Sequence, residues 1–255
     1  MELSLYQYFL VAVAAVAAGA VNALAGGGTL ITFPMLTAVG LPAVAANITN
    51  TIALCPGFLG GALAQREDLR GQKRRMLLFL PGVALGGIVG GLLLLNTGER
   101  LFRDLVPWLI LLASALLAVG EPLRAWLNKR AGHGGFSAKA GSWAALPVAI
   151  GGIYGGYFGA GLSVIFLAVL GLLVDDSLTR INALKQTLSL TVNVAAAVFF
   201  VFSGYVVWPV AAVMAVSALL GGVVGGRLAG RIRPSDLRWT IVAIGVVISI
   251  VYFIR

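Results

Sequence analysis

Residues 26–40, GGGTLITFPMLTAVG, are answered 133 positions later by residues 159–173, GAGLSVIFLAVLGLL. Each stretch is a glycine turn followed by about twelve apolar residues, 29–40 and 162–173, and each lies in a long block without charge. Twelve helical residues reach about 18 Å, well short of the roughly 30 Å hydrocarbon core. Such a segment cannot cross a bilayer, so its N-terminus is expected to lie inside the membrane, and the reading of the chain follows from that placement.

The surroundings are those of a membrane protein. Of 255 residues, 60% are hydrophobic and 11% charged, against roughly a quarter charged in soluble domains. No charge falls between Glu2 and Arg66, between Lys139 and Asp175, or between Lys185 and Arg227. The apolar blocks are uniform rather than alternating, which predicts helices and not a barrel. Counting about 20 residues per span gives three in the first block, then 76–95, 105–120, two in 142–173, two in 178–226, and 239–254. The expected fold class is therefore all-α, a polytopic membrane protein of about ten transmembrane helices.

Repeats organise these helices. Gly28 and Phe33 match Gly161 and Phe166, Asn47 matches Asn182, the run 86–91 matches 221–226, and Asp104-Leu105 matches Asp236-Leu237, all at offsets of 132 to 135. Five spans per half is an odd number, so the second repeat is expected to be inverted. The halves are 1–120 and 142–255, joined by a cytoplasmic linker, 121–141, that holds the lone His133. Ten spans place fourteen Lys and Arg residues inside and three outside, with Lys185 left in the membrane; eight spans with re-entrant 29–40 and 161–173 reduce this to nine against eight. The positive-inside rule thus favours ten, with both termini periplasmic in a bacterial inner membrane. The net charge of +9 belongs to these loops and predicts lipid headgroups, not nucleic acid, as partner. Cys55 has no second cysteine to pair with, and the apolar N-terminus, which lacks a basic leader region, is expected to be a first span.

The candidate site combines helix tips with polar helix faces. A helix N-terminus presents unpaired amides and the positive end of the dipole, and glycine lets an anion approach them. This picks out Gly27, Gly28 and Gly161, the hydroxyls of Thr29 and Ser163, and Asn22 before the first turn. Asn47, Asn50 and Thr51 share one helix face, as do Asn182, Lys185, Gln186, Ser189 and Asn193. Polar groups at this depth line a cavity or glue helices together, and both roles are open here. Lys185 is the one charge that could meet an anion directly, or it could snorkel to the interface. The glycines alone would also serve tight turns. No Asp or Glu falls within a proposed span, which disfavours a proton relay or acidic cation site; no metal, cofactor or catalytic residue is expected, and a monomer and a homodimer are both open.

These residues resemble the TauE/SafE family of sulfite and organosulfonate exporters. The similarity lies in Gly26-Gly27-Gly28 with Pro34, the Gly40-Leu41-Pro42 bend and Ala46-Asn47, then Gly155-Gly156, Gly159-Ala160-Gly161, Lys185, Asn193, Ser203-Gly204 with Trp208, and the double-glycine helix. Leu162 stands where the family often has a further glycine. The resemblance implies transport of sulfite, sulfoacetate or a related sulfonate. Spacing alone implies a small-anion transporter, with a passive channel or an organic-acid carrier as the alternative.

Overall fold

A computed structural model of the chain describes residues 3–24, 27–130, 145–174, 176–228 and 234–254; His133 and most of the expected linker lie outside them. The described residues form ten α-helices: α1 (Leu5–Leu24), α2 (Thr29–Ala38), α3 (Ala43–Ala64), α4 (Lys73–Thr97), α5 (Glu99–Arg130), α6 (Ala145–Tyr157), α7 (Leu162–Leu173), α8 (Leu178–Phe200), α9 (Trp208–Leu228) and α10 (Pro234–Ile254). A 3₁₀ turn, Arg66–Leu69, joins α3 to α4. No strand occurs among them. Helices α1, α3, α4, α5 and α8 contain stretches long and apolar enough to cross a membrane, with shorter apolar helices beside them. Large apolar side chains such as Leu77, Leu85, Val216 and Val247 face outward, where lipid rather than water satisfies them.

Two boundaries differ from expectation. Helix α2 ends at Ala38, two residues early, because Gly40 takes φ +99° and turns the chain into Pro42. The 121–141 linker starts later than expected: α5 is helical to Arg130, a length of about 48 Å that carries it beyond the membrane core.

The repeat is visible atom by atom. A methyl group added at Gly86 of α4 would strike the Ala149 carbonyl of α6, and one added at Gly221 of α9 would strike the Val16 carbonyl of α1. Both members of the second contact sit at the repeat offset from those of the first. Gly152 against Val83 and Gly19 against Ala218 form another such pair. Glycine at these positions lets the backbones touch, the close approach that substitutes for a hydrophobic driving force in lipid.

The halves are also inverted. On α3 and α8, the Asn182 side chain donates to the Gln65 Oε1 at 2.8 Å, and Gly61 lies against the Gln186 side-chain amide. As the α8 number rises by four the α3 number falls by four, so these equivalent helices run antiparallel. Helices α5 and α10 do the same, with the Ser249 hydroxyl donating to the Pro107 carbonyl at 2.8 Å and Gly245 packed on Ser114. An axis that relates antiparallel equivalents lies across them, in the plane of the membrane.

Candidate functional site

The two glycine tips converge on one turn of one helix. Gly27, at φ +93°, lies against Leu117 of α5, while Gly161, at φ +76°, lies against Ala113 and Leu116 of the same helix. That turn is the middle of α5, and Gly245 of α10 crosses α5 at the neighbouring Ser114. Two helices too short to span thus each begin against the middle of α5.

The polar residues are distributed around the tips in two groups. On the α2 side, Asn22 accepts the Gly28 N–H at 2.8 Å, and the Thr32 hydroxyl donates to Asn50 at 2.6 Å. Thr51 donates to the Asn47 carbonyl of its own helix. Fully buried Asn47 reaches across the halves, donating at 2.8 Å to the carbonyl of Tyr157, the last residue of α6, while its own Oδ1 has no partner. On the α8 side, Ser189 is 1% exposed with an unpartnered hydroxyl, and Asn193 donates to the Ser189 carbonyl. Thr29, Ser163, Lys185 and Gln186 are half-buried.

The α3–α8 register shows which candidates the fold separates. Continuing the Gln65–Asn182 and Gly61–Gln186 contacts along both helices sets Leu54 opposite Asn193 and Asn50 opposite Ala197. Asn50 and Lys185, equivalent in the repeat, therefore lie on opposite sides of the crossing, about 18 Å apart along the axis. They do not share a first shell around one ion.

Packed clusters lie on either side of the central region. Towards the start of α5, Phe33, Phe102 and Phe158 pack edge to face, with Phe33–Phe158 centroids 5.4 Å apart and Tyr157 against Phe102. Towards the other end, Asp176 pairs with Arg75 and with Arg180, the latter at 3.0 Å, and buried Gln72 donates to the Arg180 carbonyl at 3.0 Å. This network binds the start of α4 to the start of α8, that is, one half to the other.

A profile of the sulfite exporter TauE/SafE family matches residues 11–252. The chain belongs to the TauE/SafE family. It is 27% identical over 212 residues, 82% of this chain and 79% of the relative, to a probable membrane transporter protein of Haemophilus influenzae. It is 26% identical over 238 residues, 92% of this chain and 85% of the relative, to the probable membrane transporter protein YfcA of Escherichia coli strain K12. A probable membrane transporter protein, ORF9, of a Sinorhizobium species is 27% identical over 231 residues, 89% and 85% of the two chains. No solved structure matches. The chain is a multi-pass membrane transporter, which the apolar helices fit.

Within this TauE/SafE fold several polar residues escape a reading by spacing. Glu99 takes the Ala43 and Val44 amides with its two carboxylate oxygens and so caps α3, whose preceding Pro42 cannot cap with a side chain. Thr49 accepts the Val207 N–H at 3.1 Å, and Gln65 and Gln72 hold the halves together. Each acts across a long sequence separation. Thr32 alone left a local trace, four residues beyond Gly28, whose carbonyl it also contacts.

Partial burial alone would raise the Asp176 carboxyl, but hydrogen bonds from Arg75, Arg180 and the Ser177 N–H together with the Arg75 charge hold it below its usual value. A depressed carboxylate adds stability above the unfolded value, about 3.9, and that stability is lost as pH falls through the folded value. Thermal unfolding of the purified protein should therefore show this contribution as constant from pH 5 to 8 and lost below about pH 4. Asp176→Asn should lower the unfolding temperature at pH 7 and flatten the acid limb; an unchanged acid limb would remove Asp176 as its cause.

Proposed function

We propose that the chain carries a small sulfur-containing anion, such as sulfite, sulfoacetate or a related organosulfonate, across the bacterial inner membrane through a site at the paired tips of α2 and α7. The observation that carries this reading is the convergence of Gly27 and Gly161 on the Ala113–Leu117 turn at the middle of α5. Two dipole ends aimed into one low-dielectric region favour an anion, and binding at the interface of inverted repeats suits alternating access. Family membership supports the sulfur chemistry; the names of the relatives specify transport only.

With the basic loops inside, both termini are periplasmic, the Arg75–Asp176–Arg180 network lies at the cytoplasmic end and the aromatic cluster at the periplasmic end. Alternating access then requires each cluster to open in turn.

The test is flux in proteoliposomes containing the purified chain, with sulfite, sulfoacetate, taurine, sulfate and a carboxylate offered separately. Saturable movement of a sulfur anion, retained with a second ion gradient imposed or removed as coupling dictates, is the expected result; absence of movement of every sulfur anion defeats the reading. Lys185→Ala should weaken anion binding about tenfold, the scale of one hydrogen bond involving a charged group, with membrane insertion intact. Unchanged affinity in this variant would remove Lys185 from the site.

A further inference from the structure

The repeat makes the two tips equivalent in sequence, yet the side chains around them differ. At the α2 tip the Gly28 amide is occupied, since Asn22 accepts it at 2.8 Å. The Thr32–Asn50 contact sets α2 against α3 so that Gly28 is level with Leu54, an apolar side chain, with Phe58 one turn further. Translated by the repeat offsets, the same register sets Gly161 level with Ser189, and Asn193 takes the place of Phe58. Direct contacts agree: Leu162 and Val192 both touch Gly155, and Val192 is one turn from Ser189 on α8.

At the α7 tip the polar groups are left over. Ala160 and Gly161 are buried, and among the described residues the amides of Ala160, Gly161 and Ser163 donate to no carbonyl, whereas the flanking Leu162 and Val164 amides do. The Ser189 hydroxyl is also buried without a partner. Buried polar groups are normally satisfied, so a cluster of unmet donors at one helix start calls for an acceptor from outside the chain.

We infer that α7 alone is the ligand pole: the transported oxyanion sits on the amides of Ala160, Gly161 and Ser163 with the Ser189 hydroxyl as a donor, and the α2 tip is a structural counterpart. This rests on the anion-carrier reading and narrows its site from the paired tips to one of them. A single pole with few donors suits a compact oxyanion group, the sulfite ion or the sulfonate head of a larger molecule.

The experiment is equilibrium binding of sulfite to the purified full chain in nanodiscs, with thermal unfolding recorded on the same samples. Ser189→Ala should raise the dissociation constant at least fivefold and leave the unfolding temperature unchanged or higher, because it deletes a hydroxyl that pairs with nothing in the protein. Thr32→Val, at the α2 tip, should lower the unfolding temperature and keep affinity within twofold. Wild-type affinity in Ser189→Ala, or equal losses in both variants, overturns the single-pole assignment while sulfite binding by the wild type preserves the carrier reading. No sulfite or sulfonate binding by the wild type overturns both.

Discussion

Gly90→Leu is expected to leave no folded protein. Gly90 lies in α4 where it crosses α6, and a methyl group added there would overlap the Ile153 carbonyl and approach the Tyr157 amide at 2.8 Å and Gly156 at 3.0 Å. These are backbone atoms of a helix and cannot rotate away. Overpacking a core usually costs about 1–3 kcal/mol by displacing side chains, and here whole helices must part, so the penalty should exceed the margin of about 5–15 kcal/mol by which proteins stay folded only if neighbouring contacts go with it. They do, since Gly86 and Gly156 in the same crossing also meet opposing carbonyls and Gly152 lies against Val83. Size-exclusion profiles in detergent should show aggregate for Gly90→Leu and a single peak for Gly60→Ala, a site with nothing within 4 Å. A monodisperse, thermally stable Gly90→Leu protein would mean that the two helices do not touch as described.

This asymmetry between glycines explains what spacing could and could not convey. The run 86–91 and its copy at 221–226 matched in sequence, and Gly86 on Ala149 and Gly221 on Val16 prove to be one contact used twice. The start of α7 at Leu162 and its end at Leu173 were legible because a left-handed glycine opens it and the apolar run has one length. What the offset could not supply was the crossing point. Asn50 and Lys185 correspond in the repeat, but correspondence under an in-plane axis sends equivalents to opposite sides, and only the Gln65–Asn182 contact fixes where the axis cuts α3 and α8. Nor could spacing show that Asn22 closes the Gly28 amide. The same residue type six positions before a glycine reads equally well as a ligand donor or as a cap, and the turn geometry decides for the cap on its oxygen.

Gly161→Val should then abolish most transport while the protein still folds. Gly161 sits at φ +76°, where an L-residue is strained, and a valine there is β-branched as well, at a cost of about 1–2 kcal/mol. Its Cβ would come within 3.3 Å of the Leu116 side chain and 3.4 Å of the Ala113 backbone, contacts that a small shift of Leu116 relieves in part. The strain therefore falls within what a stable bundle tolerates. The functional loss is larger because the strained turn no longer holds the Ala160, Gly161 and Ser163 amides on the anion, and each hydrogen bond to a charged group is worth about 1.5–3 kcal/mol. Losing one suffices for about a tenfold drop in affinity. Proteoliposomes holding Gly161→Val should accordingly move sulfur anion at no more than a tenth of the wild-type rate, with Gly161→Ala between the two. Wild-type flux in the valine variant would show that the ion does not depend on the geometry of those amides at the head of α7.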